Sequence, residues 1–101
     1  MKILGIDPGT IVMGWGVVIA GGDAITPVGF GTFKCRQSQP QAERLYYLYS
    51  ELLSVIETHH PDAIAIEQPF ISRNVKSAMA IGRAEAIATL AAASNFIPVY
   101  H

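Results

Sequence analysis

Two acidic residues, Asp7 and Glu67, stand at the ends of two short apolar segments. The segments are Lys2–Asp7 (KILGID) and Asp62–Glu67 (DAIAIE). A strand that is apolar on both faces is typical of a central parallel strand buried under helices. Because chemistry in open α/β sheets collects at the carboxyl ends of such strands, the two carboxylates are candidates for one site. Close carboxylates coordinate Mg²⁺ or Mn²⁺, and two-metal sites cleave phosphodiesters, so the pair predicts a metal-dependent nuclease.

The surrounding pattern predicts three antiparallel strands followed by helix, strand, helix and strand. The predicted strands are Lys2–Asp7, Gly14–Ala20, Ile25–Phe33, Ala63–Glu67 and Ile97–Tyr100, and the predicted helices are Gln41–Thr58 and Val75–Ser94. Pro27 favours an edge position for the third strand. Right-handed crossovers make the last two strands parallel to the first, which predicts an α/β sheet of order 3-2-1-4-5. Asp7 and Glu67 would then lie roughly 5 Å apart in backbone.

The bulk composition indicates one small packed domain. The chain has 101 residues, half of them hydrophobic, with seven basic and eight acidic side chains. A near-neutral balance is not that of a free-standing nucleic-acid binder, so any DNA contact must be local or supplied by another part. The single cysteine cannot form an internal disulfide, and Met1-Lys2 leads directly into a strand without a signal peptide. We therefore expect a cytoplasmic protein with no membrane association.

Several short sequence motifs, taken together, are specific enough to indicate a protein family. The chain opens with Ile3–Thr10 (ILGIDPGT) and Gly14–Val18 (GWGVV), and this opening resembles that of the RuvC Holliday-junction resolvases. The opening is shared with actin-like kinases and other RNase H-like nucleases. The resemblance continues over the whole chain through Glu43–Leu45, Pro61–Asp62, Ala65–Glu67, Phe70, Asn74, Ser77–Ala78 and Gly82. The acidic strand end, the following Phe and the Asn-x-x-Ser-Ala motif make it specific.

The resemblance implies an RNase H-like fold and a homodimer that binds four-way DNA junctions. Such an enzyme cuts two opposed strands symmetrically with Mg²⁺ or Mn²⁺ and works beside a branch-migration helicase. Its catalytic, metal-binding acids correspond to Asp7 and Glu67. Two further acidic positions and nearby lysines of the family would lie beyond His101. The chain therefore resembles the first two-thirds of a resolvase, a single domain over residues 1–101 without its C-terminal helices and with an incomplete active site.

The loop after Glu67 carries the predicted DNA contacts. The resemblance implies that Phe70 stacks near the junction centre, and its polar neighbours make it a poor core residue. Arg73 and Lys76, with Arg83 further on, form the densest basic cluster in the chain. We expect phosphate contacts from Arg73 and Lys76, and we include Asn74 among the DNA-binding residues.

The second predicted helix leaves almost no polar face. Its alanines and isoleucines surround it, and a helix that is apolar all round must be buried on more than one side. One side would meet the sheet, and the other could meet a second copy in a C₂ dimer that matches a two-fold junction.

Four alternatives remain open at this point. Asp7 could merely cap the Pro8–Gly9 turn. The related YqgF type of RNase H-like nuclease, which acts in RNA processing, lacks the context of Glu67, Phe70 and Asn74. An actin-like ATP-binding domain would need a second phosphate-binding glycine motif, and none is visible. Lys34 and Arg36 form either a second basic patch or ordinary solvated charges.

Overall fold

The computed structural model describes residues 1–67 and 74–101. The elements are β1 (Lys2–Asp7), β2 (Val12–Gly21), β3 (Ala24–Lys34), α1 (Gln41–His59), β4 (Ala63–Ile66), α2 (Val75–Ser94) and β5 (Val99–Tyr100). The predicted elements are all present, and α2 has the predicted bounds. The strand β5 begins two residues later than predicted, since Pro98 has no N–H to donate to a neighbouring strand.

The five strands form one mixed sheet of order β3-β2-β1-β4-β5, as predicted. The first three strands pair antiparallel, and β4 pairs parallel to both β1 and β5. Within this sheet β3 is hydrogen-bonded only to β2, which places Pro27 in an edge strand. Pro27 pairs with Val18, directly beside a register shift between Val17 and Val18. A missing donor is tolerated at such a position.

Both helices cover the same face of the sheet. The side chains of Leu4 and Ile6 in β1 lie beside those of Ile64 and Ile66 in β4, because these residues are register partners. They join one buried cluster with residues of α1 (Leu48, Leu52, Val55 and Ile56) and of α2 (Ala84, Ala88, Ala91 and Ala92). Right-handed crossovers account for this one-sided arrangement.

The opposite face of the sheet is lined largely by small residues. Side chains alternate along a strand, so Gly5 and Asp7 of β1 point away from the helices. They pair with Gly16 and Gly14 of β2, which share that orientation. At the sheet edge Phe30 is 85% exposed on the same face. Among the residues described, no helix covers this surface, as the topology predicts.

Trp15 packs on the helix side of the sheet, partly buried against the core cluster. Its ring lies 6.2 Å from that of Phe33 and 5.8 Å from the imidazole of His59, measured between centroids. A Cβ at Gly31 would lie only 2.9 Å from the indole Nε1, so glycine leaves the space that the ring occupies. Neither α1 nor α2, within the part of the chain described, combines the length and apolar character needed to cross a membrane.

Candidate metal centre

Asp7 and Glu67 lie side by side at the carboxyl ends of two adjacent parallel strands. Asp7 is the last residue of β1, and Glu67 directly follows β4. Ile6 and Ile66 are register partners, and the Glu67 N–H donates to the Ile6 carbonyl at 2.9 Å. Both acidic residues are exposed. The predicted juxtaposition of the two positions is therefore confirmed, with both open to a ligand from solvent.

The register that brings the two acids together is fixed at the opposite end of the strands. The Lys2 N–H donates to Asp62 Oδ2 at 2.8 Å, and the Asp62 N–H donates to the Lys2 carbonyl at 2.7 Å. Lys2 Nζ also donates to the carbonyl of His59, the last residue of α1, at 2.8 Å. A slip of one residue would turn Glu67 to the helix side, so these bonds help to position the site.

The turn after Asp7 is tight, and a hydrogen bond from the end of β3 fixes it in place. A Cβ at Gly9 would overlap the Val12 carbonyl oxygen, which explains the glycine there. The Cys35 N–H donates to the Ile11 carbonyl at 2.8 Å and ties the turn to the end of β3. Within the described residues, the Asp7 carboxylate accepts no hydrogen bond from the turn. Turn capping therefore does not account for Asp7, and its oxygens remain available to a ligand.

A shallow cavity of about 570 Å³ runs from the two acids along the open face. Its floor includes Gly5, Gly14, Gly16 and Ala65. A Cβ at Gly14 would lie 3.6 Å from the Asp7 Cβ, so the glycine leaves open space beside the carboxylate. Small residues in such a floor permit close approach of another chain segment or a substrate backbone.

The donor set suits a hard divalent cation. Two carboxylates offer only oxygen ligands, which Mg²⁺ and Mn²⁺ prefer, and leave positions for water and phosphate oxygens. Over residues 1–67 and 74–101, no group of three or more His, Cys, Asp or Glu side chains could hold a metal ion. The site has the right chemistry for Mg²⁺, but only part of a full ligand set.

The structure describes two of the four residues that were predicted to contact DNA. Phe70 and Arg73 lie outside the described residues. Asn74 is the N-cap of α2, where its Oδ1 accepts from the Ser77 N–H at 2.8 Å. The spacing of Asn74 and Ser77 is therefore also that of a helix cap. Lys76 is exposed in the first turn of α2 and lines a cleft together with Arg83.

Sequence reasoning missed Arg44, which lines the same cleft from α1. Arg44 is 32 positions from Lys76 in the sequence, so no local pattern connects the two residues. The family resemblance over Glu43–Leu45 was the only sequence feature that pointed to Arg44.

Cys35, close to Arg44, is partly buried, and burial raises the pKa of its thiol more than the Arg44 charge lowers it. The thiol is therefore protonated at neutral pH and a poor nucleophile.

The mixed sheet of order β3-β2-β1-β4-β5, with Asp7 and Glu67 at the ends of β1 and β4, is that of an RNase H-like fold. Residues 3–101 match the family described as crossover junction endodeoxyribonuclease RuvC, and the chain belongs to this family. The match favours neither the YqgF type nor an actin-like ATP-binding domain.

Relatives and a solved structure agree with this assignment. The RuvC of Dehalococcoides mccartyi strain BAV1 is 48% identical over 99 residues, which is 98% of this chain and 59% of the relative. That of Chloroflexus aggregans is 45% identical over 99% of this chain and 61% of the relative. Thermus thermophilus RuvC, solved in complex with a Holliday junction substrate, superposes with a TM-score of 0.94 at 31% identity, over 99% of this chain and 61% of that one. The chain thus spans about 60% of the length of these proteins.

Proposed function

We propose that the protein carrying this chain is a structure-selective, metal-dependent endonuclease that resolves four-way (Holliday) DNA junctions in recombination and repair. The observation that carries the proposal is the pairing of Asp7 and Glu67 at one sheet edge in a chain of the RuvC family. The Thermus thermophilus relative, solved with a Holliday junction substrate, supports junction DNA as the ligand. A branch-migration helicase partner is proposed from the family resemblance alone, and a cytoplasmic setting from the single, unpaired cysteine.

Asp7 and Glu67 would hold Mg²⁺ or Mn²⁺ at the carboxyl edge of β1 and β4. Bound there, the metal would supply an activated water and stabilise the leaving 3′-oxygen of the phosphodiester. Hydrogen bonds between β1 and β4 fix the register of the two strands. They therefore also fix the backbone positions from which the two carboxylates would reach the metal. Their exposure lets a DNA phosphate approach from the open side.

The remaining metal ligands would come from the part of the relatives that this chain does not span. The family resemblance places two further acids there, on a C-terminal helix. The floor of glycines and alanine beside Asp7 would allow such a helix to approach the sheet closely. Residues 1–101 would then form one domain together with that further part, and by themselves hold half of the acidic ligand set.

A homodimer is proposed from the outer side of α2. Val75, Met79 and Leu90 are each more than half exposed, although all three are large apolar side chains. Gly82, Ala86 and Ala93 are exposed as well, and the six residues follow one another along α2 at spacings of three to four positions. These residues therefore form one stripe along α2, and its small members permit close approach of a second helix. A two-fold pairing of such stripes would suit a two-fold junction.

Replacing Phe70 by Ala should weaken junction cleavage without unfolding the protein. Loss of base stacking costs about 1–3 kcal/mol, or roughly 5- to 150-fold in junction affinity. The measurement is cleavage and binding of a four-way junction by the full-length protein, with thermal unfolding as the second readout. Phe30→Ala is a matched control, since Phe30 is an exposed aromatic at the far edge of the sheet. A large loss of thermal stability in the Phe70 variant, with normal cleavage by the folded fraction, would show a core residue instead.

A further inference from the structure

Five of the six lysines and arginines in the described part of the chain line two cavities around residues 35–41. Three of them, Arg44, Lys76 and Arg83, line a cleft of about 460 Å³ between the start of α1 and the first half of α2. The other two, Lys34 and Arg36, line a smaller cavity of about 230 Å³ with Gln39 and Tyr47. In a chain with a net charge of −1, this is a marked local excess of positive charge.

The two arginines of the larger cleft are held by neutral groups. Arg44 donates from Nε to the Gln39 carbonyl at 3.2 Å and from Nη1 to the Thr10 carbonyl at 3.3 Å. The Gln41 amide, with its oxygen turned towards Arg83, accepts from Nε at 3.1 Å and Nη1 at 3.3 Å. Within the described residues neither guanidinium forms an ion pair, and no carboxylate lines the cleft. Both side chains are therefore oriented while their charges stay uncompensated.

The rest of the lining adds polar groups suited to an anion. Ser77 supplies a hydroxyl, and Gln37 and Gln41 supply amides. Arginine presents a planar fork of N–H donors that matches phosphate oxygens, and lysine adds a compact positive charge. Two arginines, one lysine and neutral donors in one concave surface make a lining suited to an anion such as phosphate and unsuited to a metal cation.

The cleft lies next to the candidate metal centre. Thr10 and Ile11 form part of its wall, and they belong to the short turn that begins directly after Asp7. A nucleic-acid strand whose phosphate sits at Asp7 and Glu67 would cross this turn to reach Arg44. The two cavities share the segment 36–39: Gln37 lines the larger one, and Arg36 and Gln39 line the smaller one. Within this segment the Arg36 N–H donates to Gln39 Oε1 at 3.0 Å.

We propose that the cleft formed by Arg44, Lys76 and Arg83 binds the sugar–phosphate backbone of the DNA strand that flanks the scissile phosphate, and that Lys34 and Arg36 extend this track. The inference rests on the proposed nuclease function and assigns to α1 a DNA-binding role through Arg44. Phosphate contacts of this kind position a strand without reading its sequence.

The test is binding of the 101-residue chain to a fluorescein-labelled four-way junction, followed by anisotropy over a range of NaCl concentrations without divalent metal. The double variant Lys76→Gln/Arg83→Gln should bind roughly 10- to 100-fold more weakly near 0.1 M salt, since each phosphate contact contributes up to about one decade there. The slope of log K against log salt should fall by about 2. The control Lys76→Arg/Arg83→Lys keeps both positive charges in the cleft, so it should leave the salt slope and most of the affinity unchanged.

A readout that needs no variant accompanies this measurement. On titrating the ¹⁵N-labelled chain with junction DNA, the amides of residues 10, 11, 44, 76, 77 and 83 should shift first. Wild-type affinity and slope in the double variant, shifts confined to other surfaces, or no binding by the wild-type chain at low salt would each overturn the inference. The proposed nuclease function is judged separately, by metal-dependent cleavage and its dependence on Asp7. A full-length Lys76→Gln/Arg83→Gln variant that cleaves and binds normally would therefore refute the cleft and leave that function standing.

Discussion

Replacing Asp7 by Asn in the full-length protein is expected to reduce junction cleavage by at least about 10³-fold, because a metal site contributes several kcal/mol of transition-state stabilisation. Asparagine keeps the size and shape of the side chain but removes the charge that holds the cation. Glu67→Gln should have a similar effect, since the two residues lie side by side at the ends of adjacent strands and are proposed to hold the same cation. The measurement is single-turnover cleavage of a labelled four-way junction in Mg²⁺.

Binding of the junction should survive these substitutions. Removing a negative charge next to DNA phosphates does not weaken their attraction, so affinity measured without divalent metal should be unchanged or higher. Glu57→Gln on α1 is the matched control, because it removes one exposed carboxylate away from the sheet edge. Cleavage by Asp7→Asn at the rate of the control would contradict the assignment of the site.

The 101-residue chain by itself is expected to cut four-way junctions at least about 10³-fold more slowly than a protein of the relatives' full length. It contains two candidate acidic ligands, whereas the family resemblance implies four, so a cation would be held weakly and in an incomplete shell. The comparison is cleavage by the chain and by a fusion to the Dehalococcoides mccartyi segment that follows the matched 99 residues.

The fusion should recover activity only if its added acids are intact. A fusion in which those acids are replaced by Asn or Gln is the matched control, and it should be as slow as the chain alone. Efficient cleavage by the chain alone would show that Asp7 and Glu67 suffice, and would remove the need for ligands from another segment.

The sheet order could be predicted from sequence because its signals are local. The apolar segments ending at Asp7 and Glu67 indicate central strands, and Pro27 indicates an edge strand. One general rule, the right-handed crossover, then orders the strands and puts both helices on one face. The juxtaposition of Asp7 and Glu67 follows from that order, which is why the centre of the site could be predicted as well.

The basic cleft could not be predicted in the same way. Its residues come from the turn after Asp7, from α1 and from α2, and they meet only because the two helices pack on one face. Clustering along the sequence found Lys76 and Arg83 but not Arg44. Conversely, the Asn74 motif was interpreted through DNA binding, whereas the structure also gives Asn74 a structural role as the cap of α2.

The central claim, a divalent-metal site at Asp7 and Glu67, is tested most directly by Mn²⁺ titration of the ¹⁵N-labelled chain. Paramagnetic broadening should begin at the amides of Asp7, Gly14 and Glu67, which lie at one edge of the sheet. It should require millimolar metal and disappear in Asp7→Asn. Broadening centred on His59 and His60 instead, or micromolar binding that survives Asp7→Asn, would contradict the account.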